Sequence, residues 1–188
     1  ELKAKRQSLV QLEEVKFAPL SKAIKAKLRP YQHKGFQWMQ SLDHLGWGGC
    51  LADDMGLGKT LQTISFLQFI NEKHKHSCNL VVCPTSLIYN WENELKQFAP
   101  SLKYYIHYGA NRSFSAKLLK EYDVILTSYG TMRNDIDELK KHTFQYVILD
   151  ESQVIKNPIA QITKACMLLN AKNRLILSGT PIQNNTFD

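Results

Sequence analysis

The 188-residue sequence contains no apolar run approaching the roughly 20 residues that a bilayer-spanning helix needs. A helical membrane span is excluded, and no membrane is expected among its partners. An apolar core near the start, as in a secretion signal, is also missing. The chain begins at Glu1 rather than Met and is expected to be a fragment of something longer. There are no internal repeats and no low-complexity tracts, which sets aside repeat arrays. The four cysteines, Cys50, Cys78, Cys83 and Cys166, form no CxxC pair, and no His stands beside them at metal-ligand spacing. Three of them lie in or near apolar runs. Reduced, partly buried thiols of an intracellular protein are expected, in place of a zinc site or a disulfide. The compartment would be the cytoplasm or nucleoid of a bacterium, or the nucleus of a eukaryote.

What is present is ordinary for one sizeable globular domain: 44% apolar and 22% charged residues. The net charge of +7 is uneven, because residues 1–34 hold nine Lys/Arg against three Asp/Glu. Such a basic flank suits contact with a polyanion. On charge alone a solvated helical face is the favoured explanation, since basic charge is common and few aromatics are interleaved.

Apolar runs of strand length alternate with helix-like segments, as in a parallel sheet covered on both faces. Strands are expected at Gly49–Ala52, Leu80–Cys83, Lys103–His107, Val124–Leu126, Tyr146–Leu149 and Arg174–Leu177. Helices are expected near 31–45, 60–73, 85–98, 113–121, 131–140 and 159–169. Pro30, Pro84 and Pro158 stand where helices begin, where a missing N–H costs little. Residues 1–27 read as a helix, or a helix and an extended lead, before the main domain at 28–188.

Within Asp53–Thr60 (DDMGLGKT), Gly56, Gly58, Lys59 and Thr60 follow a short strand and open an amphipathic helix. This is the context of a phosphate-binding loop. Backbone N–H groups of Asp54, Met55, Gly56, Leu57 and Gly58 would curl around a β-phosphate, helped by the helix N-terminus. Lys59 would bridge the β- and γ-phosphates of ATP, and the Thr60 hydroxyl would ligate Mg²⁺. The strict pattern G-x-x-x-x-G-K-[ST] is not met, since Asp53 stands at the first glycine position. GLGKT alone is also compatible with a plain turn before a helix.

Tyr146–Leu149 ends in Asp150 and Glu151. Two carboxylates thus lie at the carboxyl end of a strand, the edge where open α/β sheets bind ligands. Asp150 is assigned to the Mg²⁺ hydration shell and Glu151 to the attacking water. A phosphate-loop kinase has no need of a water-activating Glu, so the pair favours hydrolysis. Leu175–Asn185 (LILSGTPIQNN) again runs from strand to polar loop. Ser178 and Thr180, flanking Gly179, could bond the neighbouring acidic loop and report the state of the γ-phosphate. A Gly-Thr-Pro turn is the simpler alternative.

Taken in order from about Leu28 to the end, these blocks resemble the Swi/Snf family of ATP-dependent DNA translocases and chromatin remodellers, within the second helicase superfamily. Leu28–Gln32 (LRPYQ), with Gly35 and Trp38, looks like the family's adenine-reading opening, which would give Gln32 the adenine edge. Asp53–Thr60 looks like motif I, where the family usually has Asp-Glu-Met-Gly; Asp54 replaces the Glu, and the absent first glycine becomes a family feature. Cys83–Trp91 (CPTSLIYNW) is similar to motif Ia, Tyr108–Gly109 with Arg112 to the next block, and Thr127–Tyr129 (TSY) to the one after. The resemblance implies that Pro84, Thr85, Ser86, Gly109, Arg112, Thr127, Ser128 and Tyr129 lie along a DNA strand held by its phosphates. Helix capping by the same Thr and Ser residues remains open. Asp150–Gln153 (DESQ) resembles motif II, with Gln153 where many relatives carry His and with a role coupling the nucleotide to motif III. Ile155–Asn157 continues the pattern, and Leu177–Asn184 (LSGTPIQN) is its most family-specific stretch.

The resemblance implies a RecA-like three-layer α/β/α sandwich with a mainly parallel sheet, a phosphate-loop NTPase of the α/β class. It also implies a second RecA-like lobe bearing an arginine finger, absent from these residues. The chain by itself is therefore expected to bind ATP weakly and to hydrolyse it very slowly. Two other readings stand beside the duplex-DNA translocase: a strand-separating helicase or RNA-directed ATPase of the same superfamily, and a nucleotide-binding module that no longer cycles.

Overall fold

In the computed structural model, which describes residues 16–54, 56–75, 77–151 and 161–179, the apolar runs become six strands. They are β1 (Gly49–Leu51), β2 (Asn79–Cys83), β3 (Tyr104–His107), β4 (Val124–Ser128), β5 (Thr143–Leu149) and β6 (Asn170–Leu177). The helices between them are α1 (Pro30–Leu45), α2 (Lys59–Lys73), α3 (Ile88–Phe98, after a 3₁₀ turn at Thr85–Leu87), α4 (Leu118–Glu121), α5 (Tyr129–Asn134), α6 (Ile136–Leu139) and α7 (Gln161–Leu168).

The strands form one sheet in the order β1-β6-β5-β2-β4-β3, and every neighbouring pair is parallel. Side chains alternate across a pleated strand, so each central strand feeds two cores. Val81, Cys83, Tyr146 and Ile148 point into one apolar cluster with Phe36, Ile64, Leu67 and Trp91 of α1–α3. Leu80, Val82, Val147 and Leu149 point into a second with Met132, Leu139 and Cys166 of α5–α7. The sheet is thus the middle of three layers. Cys78, Cys83 and Cys166 are buried and none of the four cysteines is in a disulfide.

Differences from the sequence expectation have local causes. Residues 1–15 lie outside the described residues; residues 16–27 contain no helix, which fits an extended lead and not one helix over 1–27. They lie against the α1–α3 layer, with Ile24 and Leu28 in the core, both backbone groups of Ala18 bonded to the Gln40 amide, and Lys25 N–H donating to Phe98 O. β4 runs two residues past Leu126, because Thr127 and Ser128 stay in register with Val82 and Cys83 of β2. β6 starts at Asn170 rather than Arg174; the polar segment Asn170–Asn173 is carried by pairing with β5. The helix expected over 113–121 shortens to α4, and that over 131–140 breaks into α5 and α6 at Asp135. Pro30 does open α1, and Pro84 precedes the 3₁₀ turn. Pro158, and with it the start of the helix near 159, lies outside the described residues.

Candidate active site

Parallel pairing brings the carboxyl ends of β1, β5, β2 and β6 to one edge. Leu51 pairs with Leu177 and Val82 with Leu149, so the residues that follow these strands are neighbours. The Asp150 N–H donates to Val82 O and the Ser178 N–H to Leu51 O. A cleft of about 300 Å³ opens there, lined by Gly56, Gly58, Lys59 and Thr60 on one wall and by Asp150 and Glu151 on another.

The loop before α2 turns through two glycines in the left-handed region, Gly56 at φ 82° and Gly58 at φ 75°. Gly58 is the N-cap of α2 and provides no side-chain cap, so the first-turn N–H groups are left for another acceptor. A Cβ on Gly58 would come within 2.5 Å of Gln32 Nε2. Lys59 is 8% exposed and its ammonium donates to the carbonyls of Asp53 (2.7 Å) and Asp54 (3.0 Å). The Asp53 carboxylate accepts from Gln62 Nε2 at 3.3 Å, so the residue at the missing glycine position is fastened to α2.

Asp150 is buried at the end of β5. One carboxylate oxygen accepts the Trp91 indole N–H at 2.8 Å and the other the Glu151 backbone N–H at 2.9 Å. Its carbonyl accepts the Tyr129 hydroxyl at 2.7 Å. Burial pushes the Asp150 carboxyl above its ordinary pKa, and the Trp91 and Glu151 donors act against this. Glu151 has φ 49°, an uncommon backbone state for a residue with a side chain and one that concentrates at functional sites. Burial holds the Tyr129 hydroxyl in its neutral, donating form and lifts the Cys83 thiol to about 12, which leaves that thiol inert.

The sequence-selected residues distribute as follows. Gly56, Gly58, Lys59, Thr60, Asp150 and Glu151 share the cleft, with Leu57 in the same loop. Asp54 is exposed beside it, and Ser178 and Gly179 follow β6 at the same edge. Gln32 is buried beneath the loop; its amide accepts the Arg29 N–H at 2.9 Å and donates to Leu57 O at 3.1 Å. Thr85 and Ser86 are exposed, with Pro84 half-buried before them. Gly109 is exposed at φ 95°. Arg112 is clamped by Asp135, with Nε 2.6 Å from one oxygen and an Nη 2.9 Å from the other. Thr127 is buried and donates to His107 O, and Ser128 caps α5 by accepting the Thr131 N–H, so these two hydroxyls already have partners. Met55, Gln153 and Thr180 lie outside the described residues.

Sequence reasoning gave no individual role to three residues, two of which, Asn90 and Trp91, lie in the block likened to motif Ia. Trp91 reaches the acidic loop from α3. Asn90 and Glu94, one turn apart and bonded to each other at 2.9 Å, line the cleft opposite the phosphate loop. Burial raises the Glu94 carboxyl, with Asn90 opposing and Asp150 adding to the rise. The signal available was their spacing on a helix that follows a central strand.

Among the described residues no cluster of three or more His, Cys, Asp or Glu could hold a metal. Mg²⁺ does not require one, because it commonly binds through one or two carboxylates together with substrate phosphates. The glycine turns, the buried ammonium and the carboxylate across the cleft fit a Mg²⁺–nucleotide on chemical grounds.

The comparisons with known proteins agree with this geometry. The TATA-binding protein-associated factor mot1 of Schizosaccharomyces pombe is 44% identical over 179 residues, covering 88% of this chain and 9% of that protein. The putative ATP-dependent helicase/translocase YwqA of Bacillus subtilis is 41% identical over 169 residues, covering 88% of this chain and 18% of that protein. The solved SWI2/SNF2 ATPase core of Sulfolobus solfataricus in complex with dsDNA superposes with a TM-score of 0.81 at 45% identity, over 89% of this chain and 36% of that one. The chain therefore spans a small part of its curated relatives and about a third of the solved core. The RecA-like layering expected from the sequence is the observed one. A family model described as the SNF2-related domain matches residues 31–188, and with glycine loop, buried lysine and acidic pair meeting at one sheet edge, the chain belongs to the SNF2-related domain family.

Proposed function

We propose that residues 28–188 are the first RecA-like lobe of an ATP-hydrolysing motor that moves on duplex DNA, with residues 1–27 as its lead. The observation that carries this reading is the cleft in which Lys59 and Thr60 face Asp150 and Glu151. Mg²⁺ bound there would supply charge neutralisation to the phosphates. The chain's own residues do the rest. The first-turn N–H groups of α2 receive phosphate oxygens, and Lys59 transfers its ammonium from two neutral carbonyls to a charged acceptor. Thr60 and Asp150 hold the cation, directly or through its waters. Glu151 orients a water and takes its proton. Gln32 keeps one N–H and one lone pair for an adenine edge. Ser178, Gly179, Thr180 and Gln153 pass the state of the γ-phosphate between the β5 and β6 loops.

The DNA assignment rests on the family and on the dsDNA complex of the Sulfolobus core. The loops after β2, β3 and β4 leave the sheet on the nucleotide edge, where exposed Thr85, Ser86 and Gly109 suit a phosphate backbone. A second lobe, with an arginine finger, completes the site in the parent protein. Such a finger contributes on the order of 10³–10⁵ in rate, so these residues alone turn ATP over very slowly.

The test is steady-state ATPase activity of the full-length protein with and without duplex DNA, for wild type and Lys59→Ala. DNA-stimulated turnover that Lys59→Ala abolishes is the expected result. Turnover indifferent to DNA, or surviving in Lys59→Ala, would remove the reading.

A further inference from the structure

Two aromatic side chains end on the same residue. Trp91 is fully buried, and its indole N–H meets one Asp150 carboxylate oxygen at 2.8 Å. Tyr129 is 4% exposed, and its hydroxyl meets the Asp150 carbonyl at 2.7 Å. They come from separate loops. Trp91 lies in the first turn of α3, directly after the exposed Thr85–Leu87 turn that leaves β2. Tyr129 is the first residue of α5, directly after Ser128 at the end of β4. Both loops belong to the edge assigned above to the DNA backbone.

We infer that Trp91 and Tyr129 are positioning residues that aim Asp150 at its cation and tether it to the two loops proposed to carry DNA. The geometry gives each aromatic a distinct task. An ionised carboxylate has about four acceptor sites. Trp91 and the Glu151 N–H take one on each oxygen, which fixes the carboxylate plane and leaves a site on each oxygen for cation or water. Indole N–H is a donor only, so this bond is made to the carboxylate and not to a protonated oxygen's hydrogen. Tyr129 fixes the backbone from which that carboxylate springs. A shift of either loop moves an aromatic anchor, and the anchor moves Asp150. Partners of this kind, which orient a metal ligand, typically contribute 10–100-fold to metal affinity.

The inference rests on Asp150 being the cation's carboxylate, and the experiment separates the two. In the full-length protein, Mn²⁺ is titrated by electron paramagnetic resonance with a non-hydrolysable ATP analogue present. Wild type, Asp150→Ala, Trp91→Phe and Tyr129→Phe are compared, each with its melting temperature. Trp91→Phe keeps an aromatic ring in the core and removes the donor together with the second ring of the indole; it should weaken Mn²⁺ binding roughly tenfold or more, and its melting temperature reports the packing lost. Tyr129→Phe should weaken it less and should lower the factor by which duplex DNA raises turnover. If Asp150→Ala binds Mn²⁺ as wild type does, the site assignment itself fails. If Asp150→Ala loses Mn²⁺ while a folded Trp91→Phe retains full affinity, the tether alone is overturned. Should Trp91→Phe not fold, ¹⁵N-indole NMR of the wild type decides. The Trp91 N–H resonance should resist solvent exchange and move when Mg²⁺ and the analogue are added. A freely exchanging, unmoved resonance would overturn the proposal.

Discussion

Of two cavities lined by ionisable groups among the described residues, the more capacious, about 440 Å³ against about 300 Å³, is not the one at the acidic pair. It lies at the β3–β4 edge around His107, Arg112 and Asp135. There the charges answer one another. Asp135 receives the Arg112 guanidinium on both oxygens and stands 2.8 Å from His107 Nε2. In the nucleotide cleft the charges rest on neutral groups: Lys59 on two backbone carbonyls, Asp150 on an indole and a backbone N–H. A buried charge held by neutral dipoles can still receive a charged ligand, while one already matched by its opposite has less to offer. The way the charge is held, and not the volume, distinguishes the cavity proposed for the nucleotide.

The largest expected effect belongs to the acidic pair. Glu151→Gln should lower DNA-stimulated turnover of the full-length protein by roughly 10²–10⁴-fold with little change in melting temperature. Near-wild-type turnover would remove the water-orienting role and most of the contrast. Next comes Gly58→Ala. An L side chain in the left-handed region costs about 1–2 kcal/mol, and its Cβ would press on Gln32 Nε2 at 2.5 Å. Chemical denaturation should register that loss, and calorimetry should show weakened ATP binding; unchanged affinity would mean that the loop tolerates another path.

Asp135→Ala should do the reverse of Glu151→Gln. It strips the Nε2 partner from buried His107, lowering the melting temperature by about 2–8 °C while ATP affinity stays at the wild-type value. A loss of ATP affinity would show that the two cavities are coupled.

The smallest effect is a pH dependence confined to the edge cluster. Burial sets the His107 pKa below its ordinary value, with Asp135 opposing. The unfolded chain therefore takes up this proton first as pH falls. His107's contribution is complete above about 6.5 and declines below it. Arg112, first among the causes, holds the Asp135 carboxyl low, so the carboxylate's contribution persists to more acidic pH and is lost only as pH falls through that depressed value. Melting temperatures of wild type should fall from pH 7 to pH 5, and His107→Gln should flatten that slope. An equal slope in the variant would assign the acid sensitivity elsewhere.

Much of the nucleotide cleft was legible in the chain because its parts are short and local. A strand, a glycine turn and a helix in succession dictate the loop at Gly56–Thr60, and an apolar strand ending in Asp-Glu dictates where the carboxylates stand. The proposed DNA residues were harder to read. Thr127 and Ser128 look like loop residues in sequence, yet pairing with Val82 and Cys83 keeps them in β4 and turns their hydroxyls inward. Arg112 looks like an exposed cation, but the clamp lies 23 residues away at Asp135. Gln32, proposed for the adenine edge, also donates to Leu57 O, a contact 25 residues away that no local pattern announces.

By itself the sequence determined the alternation of strands and helices, the glycines at Gly56 and Gly58, and the carboxyl-terminal position of Asp150 and Glu151. All of these follow from hydrophobic period, backbone freedom and neighbours along the chain. Only the tertiary structure decided that β5 lies between β2 and β6. That order brings Trp91, 59 residues distant, onto the Asp150 carboxylate, and Tyr129, 21 residues distant, onto its carbonyl. Such contacts depend on which strands pair, and pairing is set by the burial of whole faces of the sheet, which no local stretch of sequence specifies.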